Sequence, residues 1–268
     1  MSESLRKAFE KENIEYFAVL PIEECRVTRQ ELIDRAGIDA RSVIVYLVPY
    51  YTGEAGNLSL YAVSRDYHIA LREISERVIS TLEESFPGAR CRGFGDHSPI
   101  DERDAALKCS LGILGANGLV INRKYGSYVF IGEIVTDIEP SLLDAVAPAA
   151  TERCDMCGAC RSACPTGILR RESELCLSEI TQRKGELDSE CVELMRKFDT
   201  VWGCDLCQRV CPYNKEPKIT PVSFFHEERI PILTTDVLNN MSKEEFAKRA
   251  FSWRGKKTVL RNLELLKY

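Results

Sequence analysis

The sequence predicts an α+β chain whose rear part is a compact cysteine-rich module, and three observations carry that prediction. Short β-rich apolar runs, bounded by turn or polar residues, recur through the first half. One segment between them keeps the three-and-four spacing of a half-buried helix. Nine of the 12 cysteines fall between Cys154 and Cys211, leaving only Cys25, Cys91 and Cys109 in front.

Taken in order, Leu5 to Lys11 predicts a short helix, followed by strands at Ile14 to Leu20 (IEYFAVL) and Val43 to Val48 (VIVYLV). Between Ile69 and Phe86 the residues Leu71, Ile74, Val78 and Leu82 place one apolar stripe on a helix that Pro87-Gly88 stops. Two further strands, Leu119 to Asn122 and Tyr128 to Val135, are joined by the turn RKYGS. These elements predict an N-terminal α/β domain with a mixed sheet over residues 1–145. The stretch PSLLDAVAPAATER, with Pro140 and Pro148, reads as the linker into a cysteine domain at 146–225. Residues 226–268 read as a helical segment that packs on the core, with Ser242 and Glu245 placed as the capping box of a final helix through EEFAKRA.

The formal net charge of -5 argues against nucleic-acid binding by the whole surface and leaves room for a local basic patch. Lys248 to Lys267 offers one, with seven Lys or Arg against a single Glu; Arg254, Lys256, Lys257 and Arg261 are its candidate phosphate contacts. No apolar run reaches bilayer length, and MSESLRKAFEKEN lacks the apolar core of a secretion signal. The expectation is a cytoplasmic protein without a membrane partner, in which reduced cysteines serve as ligands rather than disulfides.

Cys154, Cys157, Cys160 and Cys164, followed by Pro165, reproduce the run C-x2-C-x2-C-x3-C-P, whose fourth cysteine reaches across to a second 4Fe-4S cluster. The second motif is CDLCQRVCP, with Cys204, Cys207, Cys211 and Pro212. Together they supply seven thiolates for two cubes that need eight. Cys176 and Cys191 compete for the last place, and Cys176, in CLSEITQR, is preferred. The grouping that follows is Cys154, Cys157, Cys160 and Cys211 for one cluster and Cys164, Cys176, Cys204 and Cys207 for the other. Structural zinc also uses C-x2-C pairs but seldom the triple run closed by C-P. A ferredoxin-like double 4Fe-4S domain, and hence electron transfer, is the reading. Cys25, Cys91, Cys109 and Cys191 read as small buried apolar residues.

In the front domain three stretches stand out. LYAVSRDYH sets Asp66, Tyr67 and His68 at the start of a helix, where Asp66 is either a cap or a reacting acid. GFGDHSPIDERDAA surrounds Asp96 with carboxylates. SLGILGANG spaces Gly112, Gly115 and Gly118 so that backbone could lie flat against a large ligand, with Asn117 beside them; the spacing is not the dinucleotide fingerprint.

From Ser42 onward the chain resembles the epoxyqueuosine reductase family, cobalamin-dependent iron-sulfur enzymes that make queuosine in transfer RNA. YAVSRDYH is similar to Y-A-x-G-x-D-Y-H, GDHSPIDERDAALKCSLGILGANG to V-D-T-G-P-L-x-E-R-x-x-A-x-x-A-G-L-G-x-x-G-K-N, and GSYVFIGEIVTD to G-S-W-x-F-L-G-E-I-x-T-D. Both cysteine motifs, CLSEITQ, SKEEFAKRA and VLRN follow in the same order. The resemblance implies Cys176 as the eighth ligand, Asp66 and Asp96 as catalytic aspartates, and Tyr67, His68, Gly112, Gly115 and Asn117 as cofactor-binding residues. It further implies cobalamin, an electron donor such as ferredoxin or flavodoxin, and transfer RNA or a smaller relative as substrate. It implies a short member without the helical-repeat domain of typical ones. Two positions depart from the pattern: Ala116 stands for Lys and Ser98 for Gly. The alternative functions are a double-cluster electron carrier that reduces a corrinoid or other partner protein, and a corrinoid reductase of the dehalogenase kind.

Overall fold

The structure, a computed structural model, describes residues 3–268, which fall into two compact units. One unit gathers the chain up to Pro49 with His68–Met156; the other gathers Tyr50–Tyr67 with Cys157–Tyr268.

The first unit runs α1 (Glu3–Lys11), β1 (Phe17–Pro21), α2 (Gln30–Ala36), β2 (Ser42–Pro49), α3 (Tyr67–Ser85), β3 (Cys91–Phe94), α4 (Glu102–Lys108), β4 (Ile113–Leu114), β5 (Val120–Ile121) and β6 (Val129–Thr136). Its main sheet has the order β1-β2-β6-β3. Every pair in it is antiparallel. This corrects the expected mixed sheet. β2 and β3 do run in the same direction, both being antiparallel to β6, but β6 inserts between them and no parallel pair forms. β3, a four-residue strand with no apolar run, was not legible in the sequence. The two strands flanking RKYGS do not pair with each other: β5 forms a separate hairpin with β4, while β6 joins the main sheet.

β2 is buried at all eight positions because both faces of the sheet are covered. On one face Val43, Val45, Leu47 and Val135 pack with Ala105 and Ala106 of α4. On the other, Tyr46 stacks near Phe9 of α1, ring centroids 5.1 Å apart, and its hydroxyl donates to the Leu71 carbonyl of α3 at 3.2 Å. Tyr46 lies directly opposite Gly132, and a β-carbon there would run into its ring.

The second unit holds α5 (Ala159–Ala163), α6 (Leu177–Gln182), α7 (Ser189–Phe198), α8 (Leu206–Arg209), α9 (Thr235–Asn240), α10 (Lys243–Ala247) and α11 (Lys256–Leu266). The capping box forms as expected: Ser242 Oγ accepts from the Glu245 N–H at 3.1 Å and Glu245 Oε2 from the Ser242 N–H at 2.8 Å. Yet α10 is five residues long and the last helix is α11, anchored by buried Val259, Asn262 and Leu263. Asn262 donates to the carbonyls of Thr181 and Val201 at 2.7 and 2.8 Å.

A linear division at 145 and 225 assigns Tyr50–Tyr67 to the front domain, whereas its contacts tie it to the cysteine-rich unit. The Ser59 N–H donates to the Trp202 carbonyl at 2.8 Å, and the Asn57 side chain brackets the Leu233 backbone, donating at 2.8 Å and accepting at 2.9 Å. Leu58, Val63, Trp202, Leu233 and Phe251 form one apolar cluster around these bonds.

Candidate metal centre and acidic loop

In the cysteine-rich unit the short helix α5, which carries Cys160, packs on α8, which carries Cys207. Cys160 and Cys164 are buried, and Cys157 is exposed. Burial would raise the Cys164 thiol, but the backbone N–H groups of Leu169, Thr166 and Gly167 and the Thr166 hydroxyl outweigh it and hold the thiol below its ordinary value. Such amide donors suit a metal-bound thiolate. Cys204 is pushed up to about 11 by burial, with the charges of Cys176 and Cys164 adding to the rise. Cys176 and Cys164, both expected in the second cluster, therefore lie within electrostatic reach of Cys204. In the other unit the Ala116 N–H donates to Cys154 Sγ at 3.2 Å. Among the described residues no three His, Cys, Asp or Glu side chains converge as ligands of a single ion would.

The competing cysteine is placed differently. Cys191 sits on α7 in an apolar cluster with Leu177, Ile180 and Met195, and burial raises its thiol. Burial likewise pushes Cys25 and Cys109 up to about 12 and raises Cys91. Cys109 and Cys191 are buried as expected, whereas Cys25 and Cys91 are only partly so, their thiols donating to the Pro21 carbonyl at 3.6 Å and to Thr136 Oγ1 at 3.2 Å.

A residue that sequence reasoning passed over is Asp205, inside CDLC. It is 4 % exposed and accepts from the Ser59 hydroxyl at 2.5 Å and the Leu60 N–H at 2.6 Å. Burial raises its pKa against these bonds. Asp205 thus fastens the 59–60 turn to the loop that bears Cys204 and Cys207. A carboxylate between two cysteines of a C-x2-C pair was its only sequence signal.

In the first unit the acidic loop follows β3. Asp96 takes a positive φ of 58° and the His97 N–H closes on the Gly95 carbonyl at 2.6 Å. The loop is tied down by Thr28, whose N–H donates to the Pro99 carbonyl at 2.8 Å, and by Arg29, whose guanidinium reaches His97 Nδ1 at 3.2 Å and the Ser98 carbonyl at 3.3 Å. His68 Nε2 stands 3.4 Å from Asp96 Oδ2, both side chains half exposed. A cleft of about 580 Å³ opens beside them, lined by His68, Leu71, Phe94, Gly95 and His97 among others.

Asp66 belongs to the other unit, where its N–H donates to the Lys248 carbonyl at 2.7 Å; Tyr67 packs edge-on against Tyr61, centroids 6.2 Å apart. The space beside Gly112 and Gly115 is filled by the chain itself: a β-carbon on Gly112 would meet the Ile121 carbonyl at 2.7 Å, and one on Gly115 would meet Asn117 Oδ1. The β4–β5 hairpin accounts for both glycines. Asn117 is different, for its Oδ1 accepts from the Leu119 N–H at 3.3 Å while its Nδ2 is buried without a hydrogen-bond partner. That orphaned donor fits a ligand group. Of the basic end, Arg261 is spent on the Arg183 carbonyl at 2.7 Å, and Arg254 lies 3.7 Å over the exposed Trp253 ring. Among the described residues no helix is long and apolar enough to cross a membrane.

The paired cysteine runs and amide-supported thiols define an iron-sulfur protein with a double-cluster module, and residues 153–214 match the family described as 4Fe-4S double cluster binding domain. Residues 32–97 match the family described as epoxyqueuosine reductase QueG, DUF1730. The chain is 35% identical over 212 residues to the epoxyqueuosine reductase of Listeria monocytogenes, covering 74% of this chain and 53% of that protein. The structure of epoxyqueuosine reductase from Bacillus subtilis, described with its aspartate-bearing catalytic loop swung out of the active site, superposes with a TM-score of 0.77 at 25% identity, covering 98% of this chain and 80% of that one. An epoxyqueuosine reductase solved with an epoxyqueuosine-modified tRNA stem loop has the same fold, at TM-score 0.76 and 24% identity over 98% of this chain and 80% of that one. The chain belongs to the epoxyqueuosine reductase family. It spans about half the length of the first curated relatives it matches.

Proposed function

We propose that this chain is an epoxyqueuosine reductase that converts epoxyqueuosine in transfer RNA to queuosine. The observation that carries the reading is the presence on one chain of a double-cluster module and, at His68 and Asp96, an acid loop beside an open cleft. Loss of an epoxide oxygen as water needs two electrons and two protons. The eight cysteines Cys154, Cys157, Cys160, Cys164, Cys176, Cys204, Cys207 and Cys211 would hold the two 4Fe-4S clusters that deliver the electrons singly. Asp96 would give the proton to the departing oxygen, with His68 orienting its carboxyl, and Asp66 would be the second site aspartate.

Cobalamin would supply the reduced cobalt that meets the substrate. Asn117 Nδ2, buried and unpartnered, supports a bound group, and Tyr67, His68, Gly112 and Gly115 complete the set proposed for it; the two glycines, being needed by their own hairpin, support it least. The electron donor proposed is a low-potential carrier such as ferredoxin or flavodoxin. A reducing cytoplasm suits so many free thiols.

The test is anaerobic reconstitution, iron and sulfide analysis, cobalamin titration followed by absorbance, and then turnover of epoxyqueuosine-containing RNA under a low-potential reductant, read by mass spectrometry of the nucleosides. Queuosine formation is expected. Full clusters with neither corrinoid binding nor turnover would replace this reading with that of an electron carrier.

A further inference from the structure

Strand β6 alternates Val129, Ile131, Glu133 and Val135 along one face, so that a carboxyl group occupies a place in the apolar row. Val129, Ile131 and Val135 all belong to the cluster with Ala105, Ala106 and Leu107 of α4. Glu133 is fully buried, opposite Val45 on β2 and Phe94 on β3, and neither of its carboxyl oxygens makes a hydrogen bond of normal geometry. The Ser98 hydroxyl is the polar group beside it that favours its charged form. The other titratable groups acting on it are Glu102, Asp96, Tyr46 and Cys25, none of them a cation. A carboxyl so placed keeps its proton, because the charged form would lie in apolar surroundings with no counter-ion.

Glu102 opens α4, within electrostatic reach of this buried acid and in contact with the surface loop at Asp96. Its carboxyl accepts the backbone N–H of Asp96, while its Oε2 is buried without a partner. Burial first and the Asp96 charge second raise Glu102 to about 7, against the pull of Arg103. Asp96, Glu102 and Glu133 thus act on one another electrostatically, and Glu102 and Glu133 both hold their protons more tightly than an ordinary glutamate.

We propose that Glu102 is the proton-supplying and positioning residue behind Asp96. The inference rests on the reductase reading given above. The Glu102 Oε–H bond breaks as an Asp96 Oδ–H bond forms, and that Oδ–H bond breaks in turn as an O–H bond forms on the departing oxygen of the substrate. Asp96 returns to its carboxylate and Glu102 is left as the carboxylate that solvent recharges. Run twice, the hand-off delivers the two protons of one turnover. The acceptor is an alkoxide-like oxygen, far more basic than either carboxylate, so the net transfer is downhill. Glu133, which stays protonated, sets no second negative charge against the Glu102 carboxylate.

Two measurements test this. In infrared spectra of the purified chain without substrate, a carboxylic-acid carbonyl band is expected to disappear as pH rises through about 7, and to be missing in Glu102→Gln. In turnover, wild-type kcat is expected to fall as pH rises through the same region. Glu102→Gln, which keeps an acceptor for the Asp96 N–H but carries no proton to give, is expected to lose about 100-fold in kcat with that limb gone, and Glu102→Asp to recover part of it. A Gln variant with wild-type kcat and an unmoved pH profile overturns the role of Glu102 alone. Wild-type chain with clusters and corrinoid but no turnover overturns the reductase reading itself, and this role with it.

Discussion

The Ser59 hydroxyl and the Asp205 carboxylate meet at 2.5 Å inside the cysteine-rich unit, and the Leu60 N–H reaches the same carboxylate at 2.6 Å. Removing Asp205 leaves both donors buried and unpaired. Asp205→Ala is expected to cost about 3 kcal/mol in chemical denaturation, and Ser59→Ala about 1 kcal/mol, since it removes one bond and leaves the Leu60 contact. Equal small losses for both would show that the carboxylate does not anchor this turn.

Cys176 and Cys191 separate by chemistry as well as by position. Cys176→Ser is expected to lower the iron content from roughly eight toward four per chain after anaerobic reconstitution. Cys191→Ser, in its apolar cluster, is expected to leave the iron content unchanged. The reverse pattern would exchange the two residues.

Asp96→Asn is expected to abolish epoxyqueuosine turnover while visible absorbance still reports both clusters, because the loop that holds it contains no cysteine. His68→Ala, which removes the group 3.4 Å from Asp96 Oδ2, is expected to lower kcat about 10-fold without changing cluster content. Full activity in the Asn variant would remove Asp96 from the chemistry.

Glu102 and Glu133 shape the pH dependence of stability. Both are raised from the ordinary value of 4.5, first by burial, Glu102 to about 7 and Glu133 well above its usual range. The native state therefore holds protons that the unfolded chain has already lost above pH 4.5. Stability falls as pH rises from there through about 7. Glu133→Gln, neutral at every pH, is expected to flatten this decline and to be more stable than wild type at pH 8 by roughly 1 kcal/mol or more. Thermal melts of the two proteins from pH 5 to pH 8 check it.

Gly132 faces Tyr46 across β2 and β6, and its missing side chain is what lets the ring lie flat on the sheet. Gly132→Ala is expected to destabilise by about 2–3 kcal/mol through overpacking. A relieving second change, Tyr46→Phe, is not expected to restore it, since the collision is with the ring as well as the hydroxyl.

Much of this molecule was legible in one dimension. The spacing of Cys154 to Cys164 and of Cys204 to Cys211 marks a double-cluster module, and residues 153–214 match the 4Fe-4S double cluster binding domain. The stripe Leu71, Ile74, Val78 and Leu82 gave α3, and all four residues are buried. Ser242 and Glu245 close the capping box that their separation predicts. Asp96 and His68 were singled out in two separate stretches, and the structure sets them 3.4 Å apart.

Tertiary structure decided the rest. β6 inserts between β2 and β3 and makes the sheet antiparallel, a choice between pairings that no local pattern encodes. Tyr50–Tyr67 joins the cysteine-rich unit through Asn57, Ser59 and Asp205, partners up to 176 residues apart. Glu133 looks in sequence like an ordinary strand carboxylate, and only the packing of α4 on that face turns it into a buried acid behind the Asp96 loop. Ligand identity lives in short spacings that a chain carries with it folded or not, whereas register, burial and proton affinity are set by what distant segments press against each residue.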